Sequence, residues 1–387
     1  MGVGRDGGRG RLRAMLPEQR SRLWIVAAVP AVALTVLASC VLQRPPASRQ
    51  PGPEESRALI ERLLPASVQD RAGWTTDIYD VMARQFLGPS RQNVCAVLAV
   101  VAQESGFQVN PVVPGMGRIA WNEIDTRAAH AGVPSFLLHA ALQLKSRTGR
   151  TYAERIDAAH TEQDLSDIYE DFIGSVPLGE KLFSEHNPIR TRGPMQVSVA
   201  FAEQYQSVKP YPWPVARGIP DELFTRRGSL YFGTGHLLAY PAAYERELYR
   251  FADYNAGQYS SRNAAFQAAV SLVTGGAVPQ DGALLPKGAD AKDAGSTEAA
   301  LRGAAVHLGL SEEEIHSELA QERSPEFERT RLYRVVFEQA DHKHGAPLPR
   351  TLLPQIDLHG PKISRKLTTA WYAQRVDGRY QACLRSR

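Results

Sequence analysis

Val94-Cys95-Ala96-Val97-Leu98-Ala99-Val100-Val101-Ala102-Gln103-Glu104-Ser105-Gly106-Phe107-Gln108-Val109-Asn110 begins as a wholly apolar run and then presents one ionisable group, Glu104. A helix that is apolar all round belongs in a core, and Gly106 is a natural helix stop. The stretch therefore reads as a buried helix that delivers a carboxylate to the point where the backbone leaves the core. Val100, Val101 and Val97 lie one and two turns back from that carboxylate. Desolvation raises a carboxylate pKa, and the negative end of the helix dipole acts in the same direction. Such a Glu can hold a proton near neutrality and donate it. The same pattern fits a Glu that ends a helix and faces water, so the rest of the chain has to decide.

The N-terminus is basic as far as Arg20 and Arg22, and an uncharged run follows from Leu23 to Ser39, closing on Leu37-Ala38-Ser39-Cys40. A basic segment, an apolar segment and small residues at the exit make a secretory signal. The ending resembles the lipobox of bacterial lipoproteins, in which the Cys is acylated and becomes the mature N-terminus. That resemblance implies lipidation at Cys40 and a membrane anchor. By the same resemblance, Val41 rather than Asp after the Cys favours sorting to the periplasmic face of the outer membrane, if the cell has one. Residues 41–56 are rich in Pro and polar groups and read as an extended tether.

The net charge of +4 is mild, and no basic stripe with interleaved aromatics argues for nucleic acid. Beyond Cys40 the remaining cysteines are Cys95 and Cys383. In an oxidising compartment they can pair; otherwise one is a buried thiol and the other an exposed one. His342 and His344 have no further ligands nearby, so neither metal nor cofactor is expected. The pattern is strongly helical. Helices are predicted over 54–64, 74–87, the Val94 stretch, 134–147, 161–174, 196–206, 229–251 and 263–273. Gly and Pro punctuate them at Pro65, Gly73 and Gly88-Pro89. Ser311 to Glu314 forms a capping box, and Ser324-Pro325 opens a helix to about Gln339.

Four segments then stand in a recognisable order: Gln103-Glu104-Ser105-Gly106-Phe107; Arg192-Gly193-Pro194-Met195-Gln196-Val197-Ser198; Leu230-Tyr231-Phe232-Gly233-Thr234-Gly235-His236-Leu237-Leu238; and Ala252-Asp253-Tyr254-Asn255-Ala256-Gly257. Together they resemble the catalytic domain of the lytic transglycosylases, lysozyme-like muramidases of the bacterial envelope. The resemblance covers roughly residues 90–273. It departs from the family at Pro194, where Leu is usual, and at Asp253, where Ala is usual. The distance from Ser105 to Gly193 is also several times the usual one. The expected fold is mainly α: a lysozyme-like helical domain over 57–275 with a helical insertion at about 116–187, then a helical C-terminal extension over 276–387.

The resemblance implies cleavage of the β-1,4 bond between N-acetylmuramic acid and N-acetylglucosamine in peptidoglycan, leaving a 1,6-anhydro product. Glu104 would act as general acid and then general base. Tyr254 would hydrogen-bond the Glu104 carboxyl, a task that suits a phenol because it donates without adding charge. Ser105 would bond substrate near the scissile bond. Gln196 would offer an amide to the sugars, or simply lie at a helix N-terminus. Met195 would offer an adaptable wall, or simply pack in the core, and Asn255 is structural or substrate-binding. Glu123, Asp125, Glu185 and Asp253 are further acids, none distinguished as a second catalytic carboxylate. The aromatics Trp121, Tyr205, Tyr211, Trp213 and Tyr259 fit either sugar stacking or core packing. The competing reading is a non-catalytic envelope lipoprotein that binds glycan or scaffolds a partner. A hydrolysing muramidase would need a second carboxylate and a placed water.

Overall fold

The computed structural model describes residues 51–176, 181, 186–286, 295–358 and 365–386, so the signal, Cys40, most of the tether and Glu185 lie outside the described residues. The protein is mainly α, as the periodicity predicts. Among the described residues no helix is long and apolar enough to cross a membrane.

Helix α1 (Pro53–Leu63) begins inside the stretch assigned to the tether. Pro53 occupies its first turn, where a missing N–H costs nothing, and the Glu55 carboxylate accepts from the Gly52 N–H at 3.1 Å. Helices α2 (Arg71–Arg84) and α3 (Arg91–Glu104) follow. Every residue of α3 from Val94 to Val101 is buried, as its uniform apolarity requires. Ser90 caps it by accepting from the Asn93 N–H at 3.1 Å, and Gly106 and Phe107 end it with left-handed φ of 59° and 67°.

The insertion folds around a small core of its own. It contains α4 (Met116–His130), α5 (Ser135–Leu142), α6 (Tyr152–Asp157) and α7 (Glu162–Ser175), which pack Met116, Leu142, Tyr152, Ile156 and Ile168 together. The chain then returns through a short hairpin, β1 (Thr191–Arg192) paired antiparallel with β2 (Val197–Ser198). The remaining helices of this half are α8 (Val199–Val208), α9 (Ile219–Glu222), α10 (Arg226–Leu238), α11 (Glu247–Ala256) and α12 (Ser260–Thr274). The single helix predicted over 229–251 is thus two helices. Pro241 disfavours helical backbone before it, and the Arg250 guanidinium holds the break by donating to the carbonyls of Tyr240 and Ala242 at 3.2 and 3.1 Å.

The division expected at 275/276 does not follow the packing. Ala265, Phe266, Ala269 and Val270 of α12 share a core with Leu301, Ile315, Leu319, Phe327, Val336 and Phe337, which come from α13 (Ser296–Gly303), α15 (Glu312–Leu319), a 3-10 turn over Pro325–Arg329, and α16 (Arg331–His344). The short α14 (Ala305–Leu308) joins the first two. Ser324 opens only the 3-10 turn, because Thr330 caps a new helix by accepting from the Tyr333 N–H at 3.2 Å. After a second hairpin, β3 (Asp357–Leu358) with β4 (Leu367–Thr368), the last helix α17 (Thr369–Arg385) goes back to the first core. There its Tyr372, Ala373, Val376 and Tyr380 pack with α3 and α11.

Candidate functional site

Helices α3 and α17 run antiparallel and are fastened at both ends. Cys95, near the start of α3, forms a disulfide with Cys383, near the end of α17, with Cα atoms 5.6 Å apart. This realises the pairing left open by the sequence. At the opposite end the Tyr372 hydroxyl donates to Glu104 Oε1. Between them the Arg379 guanidinium donates to Gln103 Oε1 at 3.2 Å. Cys95 lies nine residues before Glu104 and Cys383 eleven after Tyr372, or about 13 and 16 Å of helix. An antiparallel pair therefore brings Tyr372 to the carboxylate once the sulfurs are joined.

Glu104 sits where the quoted stretch predicts, at the last turn of the buried helix, with part of its surface still accessible. Burial pushes its carboxyl up to about 7. The Tyr372 hydroxyl pulls the other way by favouring the carboxylate, and the nearby Glu162 carboxylate adds to the rise. Tyr372 and Tyr254 are both held well above the ordinary phenol range by burial and by the neighbouring Glu104 charge, so both are donors near neutrality. His236 lies against Tyr254 with ring centroids 4.9 Å apart. Burial pushes its imidazole down to about 4, so it is neutral where Glu104 is half-protonated.

Tyr254 is beside this carboxyl but does not hold it. Its hydroxyl donates to the Met195 carbonyl oxygen at 2.7 Å, and Tyr372 takes the role expected of it. The reason is connectivity: the final helix packs on α3 and fills the position facing Glu104. The Gly193-Pro194-Met195-Gln196 segment is the turn of the first hairpin, closed by the Gln196 N–H donating to the Gly193 carbonyl at 2.9 Å. Gly193 is obligatory, since its φ is 74° and a Cβ would lie 1.9 Å from the Leu223 carbonyl oxygen. Pro194 fits the second position of such a turn. Met195 is fully buried and packs on Gly233, where a Cβ would meet its sulfur at 2.5 Å. It is core, and no wall of an open cleft.

Gln196 is not at a helix N-terminus either; α8 starts later, capped by Ser198. Its amide is engaged within the protein. Oε1 accepts from Thr191 Oγ1 at 2.9 Å, and Nε2 donates to Glu162 Oε2 at 2.9 Å and to the Gly193 carbonyl at 3.3 Å. Ser105 is partly buried, and its hydroxyl donates to the Val101 carbonyl at 3.2 Å, which leaves its oxygen able to accept. Asn255 accepts from Thr369 Oγ1 at 2.7 Å and so ties the end of α11 to the start of α17.

The other acids named from the sequence have other work. Asp253 is fully buried and accepts from the Tyr240 and Tyr244 hydroxyls at 3.0 and 2.6 Å and from the Tyr259 and Ser261 N–H groups at 2.9 and 2.6 Å. It thereby holds the left-handed Tyr259 that starts α12. Glu123 pairs with Arg127 and Asp125 with His139. Asp167, Glu170 and Asp221 converge, but Arg192 and Arg217 reach into the group and pair with its carboxylates. Of the aromatics, Tyr205, Tyr211 and Trp213 pack around Tyr231, Tyr259 is buried, and Trp121 donates to Asp157 at 2.7 Å. The sequence reading missed Tyr372 and Glu162. The signal for Tyr372 was the cysteine spacing; for Glu162 there was only the Thr161 capping box, which announces a helix and says nothing of what it faces.

Residues 67–386 match the model of a family described as "Protein of unknown function (DUF1615)". The chain is similar to "Uncharacterized protein YaiW" of Escherichia coli (strain K12), at 47% identity over 366 residues that cover 94% of this chain and 100% of that protein. No solved structure matches the chain.

Proposed function

The chain belongs to the DUF1615 family, and we propose that it cleaves the β-1,4 bond between N-acetylmuramic acid and N-acetylglucosamine in peptidoglycan as a lytic transglycosylase. The observation that carries this reading is Glu104: a partly accessible carboxyl at the end of a buried helix, raised by burial to about 7. A general acid works best with its pKa near the operating pH. Protonated Glu104 gives its proton to the leaving glycosidic oxygen as the C1–O bond breaks. Positive charge develops at C1 and the ring oxygen, assisted by the substrate's own 2-acetamido group. The 6-hydroxyl of the same sugar then attacks C1, and its proton returns to Glu104. The cycle consumes no water and leaves Glu104 as it began.

Tyr372 positions the carboxyl throughout. It donates one hydrogen bond to Oε1 and leaves the rest of the carboxyl for the substrate. The envelope setting is part of the same proposal: secretion by the N-terminal signal, lipid on Cys40, and the periplasmic face of the outer membrane. The Cys95–Cys383 disulfide suits an oxidising compartment of that kind.

The experiment is product analysis. Purified peptidoglycan is incubated with the full chain in detergent, and the soluble fragments are weighed by mass spectrometry. Fragments with 1,6-anhydro ends are expected, and Glu104→Gln should slow their release by on the order of 10² to 10⁴. Binding to peptidoglycan without fragments would replace the enzyme with the non-catalytic binder.

A further inference from the structure

The insertion does more than pack beside the site, for it is stitched to the segment that leaves Glu104. Asn110 Nδ2 donates to Thr161 Oγ1 and to Gln163 Oε1, both at 3.2 Å. The Val113 N–H donates to the His160 carbonyl at 2.8 Å, and Val112 bridges to Thr161 in antiparallel fashion. These contacts flank Glu162, the first residue of α7, on both sides. Thr161 and Asp164 close a capping box around it, so its backbone is fixed relative to the end of α3. A negative charge in the first turn of a helix is favoured by the dipole, and Gln196 Nε2 donates to Glu162 Oε2 at 2.9 Å. Gln196 is in turn held by Thr191 and Gly193, and the neighbouring Met195 carbonyl by Tyr254. The Glu162 charge helps raise the Glu104 carboxyl, after burial.

We propose that Glu162, supplied by the inserted segment, is the second carboxylate of the site and stabilises the positive charge that develops on the sugar as the glycosidic bond breaks. This rests on the reading of Glu104 as the acid. Glu162 neither gives nor takes a proton: the proton leaves Glu104 for the glycosidic oxygen, and the 6-hydroxyl proton returns to Glu104. Among the described residues, the ionisable groups that act on or beside Glu104 include Glu162 from α7, Tyr254 from α11 and Tyr372 from α17, and Glu162 is the carboxylate among them. Its charge serves twice, opposing the oxocarbenium and keeping the proton on Glu104. On this account the insertion completes the site with a carboxylate.

The test is kinetic, with the full chain in detergent acting on soluble uncrosslinked glycan strands. Glu162→Gln keeps an oxygen to accept from Gln196 while the charge is lost. We expect kcat to fall about 100-fold, KM to stay within about threefold, and the alkaline limb of kcat/KM to move to lower pH, because removing a like charge makes Glu104 easier to ionise. Glu162→Asp should recover part of kcat and keep the limb near its original position. A Glu162→Gln enzyme with unchanged kcat and an unmoved limb overturns the proposal. So does equal loss in both variants with the limb unmoved, which is the signature of a structural role. A wild-type chain that releases no fragments at all overturns the glycan-cleaving reading and this proposal together.

Discussion

The two ends of the α3–α17 pair are held by opposite kinds of bond. At one end Cys95 is fully buried and joined covalently to Cys383. At the other, Glu104 is partly accessible and joined to Tyr372 by a hydrogen bond. The covalent end has no chemistry left to do, since a disulfide does not titrate. The polar end keeps an ionisable group in a place that opposes its ionisation. The fastening at the first end makes the second affordable: a helix pinned by sulfur can present a desolvated carboxyl without the carboxyl's preference for water pulling the helices apart. Under the proposed function, stability and reactivity are thus separated along one pair of helices by about three turns.

Breaking the covalent end should have the largest effect on stability. The disulfide closes a loop across a sequence separation of 288 residues, and loss of a native bridge costs about 2–5 kcal/mol. The Cys95→Ala/Cys383→Ala double variant keeps the sites apolar, so urea unfolding followed by circular dichroism should report that loss. Wild-type protein treated with reductant should unfold at the same lowered midpoint. A midpoint unchanged in both would mean that packing of Tyr372, Ala373, Val376 and Tyr380 alone fixes α17.

Removing the charge at the other end should act in the opposite direction. The ordinary Glu104 value is 4.5 and its folded value is about 7. Between those pH values the folded chain holds a proton that the unfolded chain has lost, so stability falls as pH rises through this window. The contribution is fully present below pH 4.5 and gone above about 7. Glu104→Gln cannot ionise and should escape the fall. It should therefore match wild type near pH 4 and exceed it at pH 8, by at most about 3 kcal/mol, with the partial accessibility of the carboxyl reducing that figure. Thermal melts of both proteins across this range check the divergence. Parallel curves would show that the carboxyl is hydrated in the folded protein.

The two ends also differ in how they are written in the sequence. The α3 helix was legible because its evidence is local: an unbroken apolar run with a stop after it. The position of Glu104 followed from the same run, while its role did not. The Gly193 turn was legible as a motif, because only glycine fits 1.9 Å from the Leu223 carbonyl oxygen at positive φ. Tyr372 was not legible in that way. It belongs to the site only because the chain leaves the first core at α12, builds a second core, and returns, and apart from Cys383 no local pattern near residue 372 records that return. The boundary expected at 275 failed for the same reason, since α12 looks like any apolar helix and only its partners on α13 to α16 say which core it serves. Tyr254 shows the complementary error. A motif placed it beside Glu104, which is where it is, but a motif carries no information about which acceptor a phenol chooses when a backbone carbonyl lies at 2.7 Å.

That choice gives the smallest and most discriminating pair of changes. Tyr372→Phe removes a donor that favours the Glu104 carboxylate, so the carboxyl should become harder to ionise and the alkaline limb of activity should move to higher pH, opposite to the shift expected for Glu162→Gln. The rate should fall on the order of tenfold, about the worth of one hydrogen bond to a charged group. Tyr254→Phe removes a neutral bond to the Met195 carbonyl, costs about 1 kcal/mol of stability, and should leave the limb where it is. Measured together as pH profiles, the two variants ask which phenol the carboxyl feels. If Tyr254→Phe moves the limb and Tyr372→Phe does not, the hydrogen bond to Glu104 comes from α11, and the final helix holds the acid in place by packing alone.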